Sequence, residues 1–219
     1  MFRQKGLYPA KDNRCDFITS YGTTSSQVSG YSLYSYPASA MAGDLIFVAI
    51  GNPLDLVTHP GAPGFNQIHS VEIYNGYWMG LYWRHLSASD PGTNMGIWQG
   101  AGFFSYALYR PNFTVTGVSE NVVYQYGGTG NPAATTVDLT ASGKVRAALC
   151  QVTSNYGSTV NVSGAAPDFS QNVNWNPYEG FFAMKLYMDW ETGGATTFDQ
   201  TDTTGARSHR TSALEFTTI

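Results

Sequence analysis

The sequence predicts an all-β chain folded as an antiparallel sandwich or barrel, and three observations carry that prediction. The first is composition: 15% of the residues are aromatic and only 12% charged, with 24 glycines beside abundant Ser and Thr, a mix that favours extended strands and turns over helices. The second is spacing. Short apolar or alternating runs recur between turn residues along the whole chain, the rhythm of a sandwich or barrel and not of βαβ units. The third is Asn75-Gly76, set between two β-like runs; both residues accept the positive φ that a two-residue hairpin turn demands.

At 219 residues the chain is long enough to bury a sizeable core as one large β domain. The division expected is an N-terminal arm over 1–18 and a β-sandwich domain over 19–219. Charge sets the arm apart: it holds Arg3, Lys5, Lys11 and Arg14 against Asp12 and Asp16, so the body carries −6 of a formal total of −4. Such a body repels phosphate, which argues against nucleic acid as a partner. An arm of opposite sign suits docking on a neighbouring subunit, with Phe2, Arg3 and Lys5 as candidate contacts, although a frayed terminus is the commoner fate of such a segment. The opening MFRQKGLYPAK lacks the apolar run of a signal peptide, and no window approaches the roughly 18 apolar residues of a membrane helix. Synthesis in a cytoplasm without membrane insertion is expected, and Cys15 and Cys150, with no metal or redox spacing, are expected as free thiols.

The elements follow in order. Residues 20–29 are Ser/Thr-rich, and YSLYSY (31–36) alternates polar and aromatic residues before Pro37, as a half-buried edge strand does. GDLIFVAIG (43–51) is apolar on both faces and bounded by glycines, which is how a strand covered on both sides reads. The prolines and glycines of 52–65 make a long loop. The hairpin joins QIHSVEIY (67–74) to YWMGLYWR (77–84) through Asn75-Gly76. A polar turn over 87–96 leads to a strand at 103–110, then to short strands near 114–118, 121–126, 135–139 and 144–152. The Asn-, Ser-, Gly- and Pro-rich stretch 154–179 reads as a surface loop of functional length. GFFAMKLYMDW (180–190) reads as a buried strand, 192–206 as a Gly/Thr/Asp-rich loop, and SALEFTT (212–218) as a closing strand.

No catalytic or cofactor signature lies on this scaffold. His59, His69, His85 and His209 lack metal-ligand spacing, and their ordinary place is a strand or loop surface. Asp199 and Asp202 in DQTDTTG fail the calcium-loop template, which finds Thr201 and Thr203 where oxygen-rich acidic or amide positions belong. Gly128, Gly130 and Ala133 copy a dinucleotide-turn spacing, but Pro132 and ATTVDL follow where a helix would have to begin. Glu72, Glu120, Glu179 and Glu191 are carboxylates of the type that glycoside hydrolysis pairs, with an ordinary surface position as the bland reading. Most aromatics belong in the core. Trp175 and Tyr178, among Asn172, Asn174, Asn176 and Glu179, are the exception, a candidate contact for a glycan or a protein partner. No metal and no cofactor is expected.

The run GDLIFVAIG, a loop with PGF (63–65), LYWRHLSASDPGT (81–93), Trp98 and ALYRP (107–111) resembles a family of phage and prophage virion proteins. In that family a strand opening on Gly-Asp is followed by a Gly-Trp/Phe loop, a tyrosine-and-arginine strand leading into an acidic-Pro turn, and a strand ending in Tyr-Arg. Here Phe65 stands where tryptophan is usual, and Pro111 where glycine is common. The long aromatic strand, the GGATT loop (193–197) and the closing Leu-x-Phe strand extend the resemblance over most of 20–219. It implies a jelly-roll-like β-sandwich with long surface loops, serving as a non-enzymatic virion component: a capsid decoration or cement protein, or a tail or baseplate accessory. Its partners would be other virion proteins and further copies of itself, with a trimer as the expected oligomer. A carbohydrate-binding adhesin or host-recognition module of a tail fibre is the second reading, and a glycoside hydrolase the third.

Overall fold

The computed structural model describes residues 13–25, 34–52, 64–74, 77–95, 102–139, 144–154, 159–175, 178–191, 193–201 and 206–219. Every regular element among them is a strand. In chain order these are β1 (Cys15–Ser25), β2 (Leu45–Asn52), β3 (Asn66–Tyr74), β4 (Tyr77–His85), β5 (Gly102–Pro111), β6 (Val115–Thr129) and β7 (Thr135–Asp138), followed by β8 (Val145–Ser154), β9 (Thr159–Gly164), β10 (Phe169–Trp175), β11 (Tyr178–Tyr187), β12 (Ala195–Thr201) and β13 (Ala206–Thr218). Sheet I runs β1-β5-β2-β4-β3, sheet II β10-β11-β8-β13-β6 and sheet III β7-β12-β9, with antiparallel pairing throughout.

Sheets I and II form the sandwich that the sequence predicts. β1 lies over β10, β5 over β11, β2 and β4 over β8, and β3 over β6 and β13. The chain finishes sheet I before it starts sheet II, so the fold is a sandwich of two packed antiparallel sheets without the interleaved strand order of a jelly roll. Between the sheets, Leu45, Phe47 and Ala49 of β2 meet Ala147 and Leu149 of β8, Phe182 and Met184 of β11, and Leu214 and Phe216 of β13. Phe47 sits edge-on to Phe216 at 5.7 Å and to Tyr109 at 6.0 Å, the geometry that aromatic quadrupoles favour.

The strand expected to be covered on both sides is covered on both sides. Ile46, Val48 and Ile50 alternate with the inward residues and point to the outer face of sheet I. There Tyr36, Ala40, Leu86 and Met95 close over them. Sheet II is treated in the same way: Ala148, Cys150 and Val152 of β8 and Phe181, Ala183 and Tyr187 of β11 pack under Val137, Val160 and Phe198 of sheet III.

The hairpin at Asn75-Gly76 is closed by the pair Tyr74↔Tyr77, as the sequence predicts. Other expectations need correction. Of the arm, residues 1–12 lie outside the described residues, while Cys15–Ile18 belong to β1, the edge of sheet I, where Phe17 stacks on Phe169 at 5.7 Å. An edge strand needs only one hydrogen-bonded flank, so the Ser/Thr-rich stretch that follows extends it through Ser25. The expected edge strand at 31–36 is, over its described part, a cover: Ser35 makes an isolated bridge to Asn94, and Tyr34 stacks on Phe104 at 3.6 Å. The polar stretch 154–179 holds β9 and β10, and 192–206 holds β12. Their ladder partners come from distant strands, which local composition does not reveal. The two short strands read near 114–126 are one strand, β6, drawn out along β13 with register shifts at Thr211/Ser212 and Thr217/Thr218.

Close approach of the sheets depends on glycines at their interface, among them Gly51, whose Cβ would lie 1.9 Å from Thr153 Oγ1, and Gly180. A Cβ on Gly180 would lie 2.1 Å from the Phe103 ring across the sandwich. Gly180→Ala is expected to lower stability by about 1–3 kcal/mol through overpacking. Gly117→Ala, whose added carbon meets only Thr217 at 3.7 Å, is expected to stay within about 0.5 kcal/mol of the parent; urea unfolding of the two variants measures the difference.

Candidate functional site

Among the candidate contacts, Phe2, Arg3 and Lys5 lie outside the described residues. Trp175 and Tyr178 form the last Cα pair of the β10–β11 hairpin, a strand end instead of a free loop. His59 and Asp202 fall outside the described residues, and Asp199 is a β12 residue paired with Asn161. Gly128 lies within β6, and the chain continues into β7 with no helix N-terminus at that turn.

Two histidines overturn the surface reading, while His85 is partly exposed at the end of β4. His69 and His209 are buried. His69 reaches from β3 across the sandwich: its Nδ1 lies 3.0 Å from Glu120 Oε1 and its Nε2 3.2 Å from Gln151 Oε1. Glu120, on β6, accepts from Arg210 Nε at 3.0 Å and Nη2 at 2.7 Å and from the Ser212 hydroxyl at 2.6 Å. Arg210 Nη1 donates to Gln125. The Gln151 amide donates to the carbonyls of Ile50 at 2.9 Å and Gly80 at 3.3 Å, two residues paired across β2 and β4. This network ties β6, β8 and β13 of sheet II to β2, β3 and β4 of sheet I.

The β8–β13 register explains why the polar groups gather there. Paired residues share a face, and the inward pairs run Val145–Phe216, Ala147–Leu214, Leu149–Ser212, Gln151–Arg210, Thr153–Ser208. The interior is thus apolar at one end and polar at the other. Burial raises the Glu120 carboxyl, but the hydrogen bonds from His69 and Arg210, the charge of His69 and the bond from Ser212 outweigh it and hold it well below the usual carboxylate range. Both ring nitrogens of His69 face acceptor oxygens, so neither is free to serve a substrate. The arrangement has the residue types of an acid–base pair and the wiring of a structural tie.

Sequence reading passed over Glu120 as a surface carboxylate. A signal was present in the chemistry of β13, whose SHRTS run (208–212) is too polar for the sheet centre unless it meets partners. Of the other carboxylates, Glu72 is exposed, Glu191 Oε2 accepts from the Met188 amide at 2.7 Å, and Glu179 has a side chain outside the described residues.

A second buried constellation lies between sheets II and III, where His209 Nδ1 is 2.9 Å from Gln200 Oε1 and its Nε2 is 4.0 Å from Cys150 Sγ. Cys150 is fully buried, and burial pushes its thiol well up from the ordinary value, the opposite of what a nucleophilic thiolate needs. Both cysteines are free. Among the described residues no group of three or more His, Cys, Asp or Glu side chains is placed to hold a metal ion.

The motif residues on sheet I form pairs of their own. Asp44, immediately before β2, takes both Arg110 Nε at 2.8 Å and Nη2 at 2.9 Å, and the Met41 amide at 2.8 Å. Gly43 before it has φ +89°, a conformation that favours glycine. Arg84 donates to Asp90 at 2.7 Å and lies over the rings of Tyr36 at 5.7 Å and Phe65 at 5.5 Å. Gly-Asp with Tyr-Arg, and arginine with the acidic-Pro turn and the Phe65 loop, are therefore mutual contacts. Beside them Tyr21, Tyr34, Ser35, Phe104 and Tyr106 line an open cleft of 270 Å³ on the outer face of sheet I, where Tyr21 stays largely exposed.

Comparison with protein families, with curated proteins and with solved structures returns no match for this chain.

Glu120→Gln removes the charge that Arg210 and His69 face, and is expected to cost about 3–5 kcal/mol at neutral pH. Because the folded Glu120 value is depressed, its contribution is complete above the ordinary carboxylate value of about 4.3 and fades as pH falls toward the depressed folded value. Urea midpoints measured from pH 7 to 3 are expected to fall more steeply for the parent protein than for Glu120→Gln.

Proposed function

We propose that the protein is a non-enzymatic structural component of a phage virion, a capsid decoration or cement protein or a tail or baseplate accessory. The observation that carries this reading is that the motifs of the resemblance are contacts of one another. Asp44 clamps Arg110, and Arg84 joins Asp90, Tyr36 and Phe65. Motifs of this kind maintain a rigid double-covered sheet, the property a repeated particle component needs, and ask for no chemistry. The polar constellations support the same reading, since the acid, histidine and thiol groups within the sandwich are turned on each other and away from the surface.

On this reading the basic segment 1–12 docks on a neighbouring virion subunit while β1 stays in its own sheet. The −6 borne by the rest of the chain beyond residue 18 favours such an exchange between copies, because each copy offers an acidic body to the next basic segment. Symmetry then multiplies a weak contact. One observation favours the second reading, a host-recognition module that binds carbohydrate: the cleft beside Tyr34 and Tyr106 presents the exposed ring of Tyr21 near hydroxyl groups, the kind of surface on which sugar rings stack.

Removal of residues 1–12, which leaves β1 whole, is expected to yield folded protein that no longer joins particles in a cosedimentation assay. Full occupancy by the truncated protein would sink the docking mechanism. Electron microscopy of intact particles is expected to show density for the sandwich in symmetry-related copies, and its absence from head and tail alike would sink the virion assignment itself.

A further inference from the structure

On the outer face of sheet II, beside β7, an open cleft of 440 Å³ is lined by Ser119, Asn121, Asp138, Arg146, Ala213 and Glu215 among others. Its hollow follows from the register. Arg146, Glu215 and Ser119 are successive cross-strand partners on β8, β13 and β6, and the adjacent row is Ala148, Ala213 and Asn121. Two alanines leave space beside the long side chains, and β7 walls that space with Asp138.

Arg146 is the feature that calls for a ligand. The residue is only 5% exposed. Its Nε donates to the Lys144 carbonyl at 3.3 Å, while its Nη2 is buried and meets no acceptor among the described residues. A buried N–H donor left in this state is costly, because it has lost water and gained no acceptor in exchange. Glu215, directly across the strand pair, is engaged by Lys144, and Glu120 by Arg210 and His69. Asp138 is exposed and makes no ion pair among the described residues. The cleft thus offers a guanidinium N–H without an acceptor at its floor and an exposed carboxylate on its wall.

We propose that this cleft is a binding site for an acidic sugar, a uronic acid residue in particular. Its carboxylate pairs with the Arg146 guanidinium, and its hydroxyls donate to Asp138 and exchange hydrogen bonds with Ser119 and Asn121. A single carboxylate suits the site better than phosphate does, because Asp138 and Glu215 stand close by and repel a second negative charge. The volume falls in the range of small-molecule sites. Neutral sugars lack the group that Arg146 requires. This site lies on the face opposite the tyrosine-lined cleft of sheet I and does not depend on the virion assignment.

The test is calorimetric titration of the full-length protein with D-glucuronate and an oligosaccharide containing it, against glucose and inorganic phosphate. Saturable binding of the glucuronate ligands, at least about tenfold tighter than glucose or phosphate, is expected from one charge-assisted pair. Arg146→Met is expected to lose that binding and, without ligand, to melt no lower than the parent, because it removes a buried N–H donor that meets no acceptor among the described residues. A purely structural arginine would instead lower the melting temperature. Asp138→Asn changes only an exposed side chain; it is expected to weaken glucuronate binding and to narrow the preference over phosphate. No saturable glucuronate binding by the folded parent, or equal affinity for glucose, overturns the proposal. Unchanged binding in Arg146→Met overturns it too, and if that variant does not fold, unchanged binding in Asp138→Asn does so.

Discussion

Four central strands, β2, β5, β8 and β11, are apolar on both faces, and the rest of the molecule answers to that constraint. A strand of this kind left with one face in water exposes a row of large side chains, at roughly 25 cal/mol per Å² of apolar surface. Sheets I and II satisfy one face of each strand by packing on each other. The second faces need separate covers. For sheet I these are the irregular segments around Tyr34–Ala40 and Leu86–Met95, and for sheet II the small sheet III. Layers accumulate until the outermost residues are polar enough to meet solvent.

The charged pairs follow from the same requirement. An irregular cover has little backbone ladder to hold it, so Asp44, Arg84, Asp90 and Arg110 secure it with side-chain bonds at the rim of sheet I. The cation over Tyr36 and Phe65 adds a contact in which a charged group lies on apolar surface without being stranded there. At the polar end of the interior, His69, Glu120, Gln151 and Arg210 do for the two main sheets what Phe47 and Phe216 do at the apolar end. Direction distinguishes the two ends: the aromatic contacts tolerate sliding, whereas the hydrogen bonds set one register between the sheets. Arg146 departs from this pattern. It is buried like Arg210, but among the described residues its Nη2 meets no acceptor of the kind Glu120 supplies, and its incomplete state marks the surface where a ligand has something to add.

Much of this architecture was legible in the chain. Alternation and length located β2, β4, β5, β8, β11 and the C-terminal half of β13, and Asn75-Gly76 located the β3–β4 hairpin. These signals are local: side-chain direction alternates with each residue, and a two-residue turn is set by its own φ preferences. The polar strands β9, β10 and β12 were not legible, because what makes Thr159–Gly164 or Ala195–Thr201 a strand is a partner far away in sequence. The inter-sheet tie escaped for a related reason. His69, Glu120, Gln151 and Arg210 are spread over 142 positions, and each by itself reads as an ordinary surface residue.

By itself, the sequence determined that the chain is all-β, that the strand at 43–51 is covered on both faces, and that an oppositely charged segment precedes an acidic body. These are properties of composition and short-range pattern, and they hold in whatever order the strands are placed. Tertiary structure alone decided that order and, with it, which side chains meet. Pairing β8 with β13 placed Gln151 beside Arg210 on the inner face and Arg146 beside Glu215 on the outer. One register thereby built both the satisfied cluster and the unsatisfied cleft. A shift of one residue would exchange the faces, so neither feature exists until the sheets have chosen their partners.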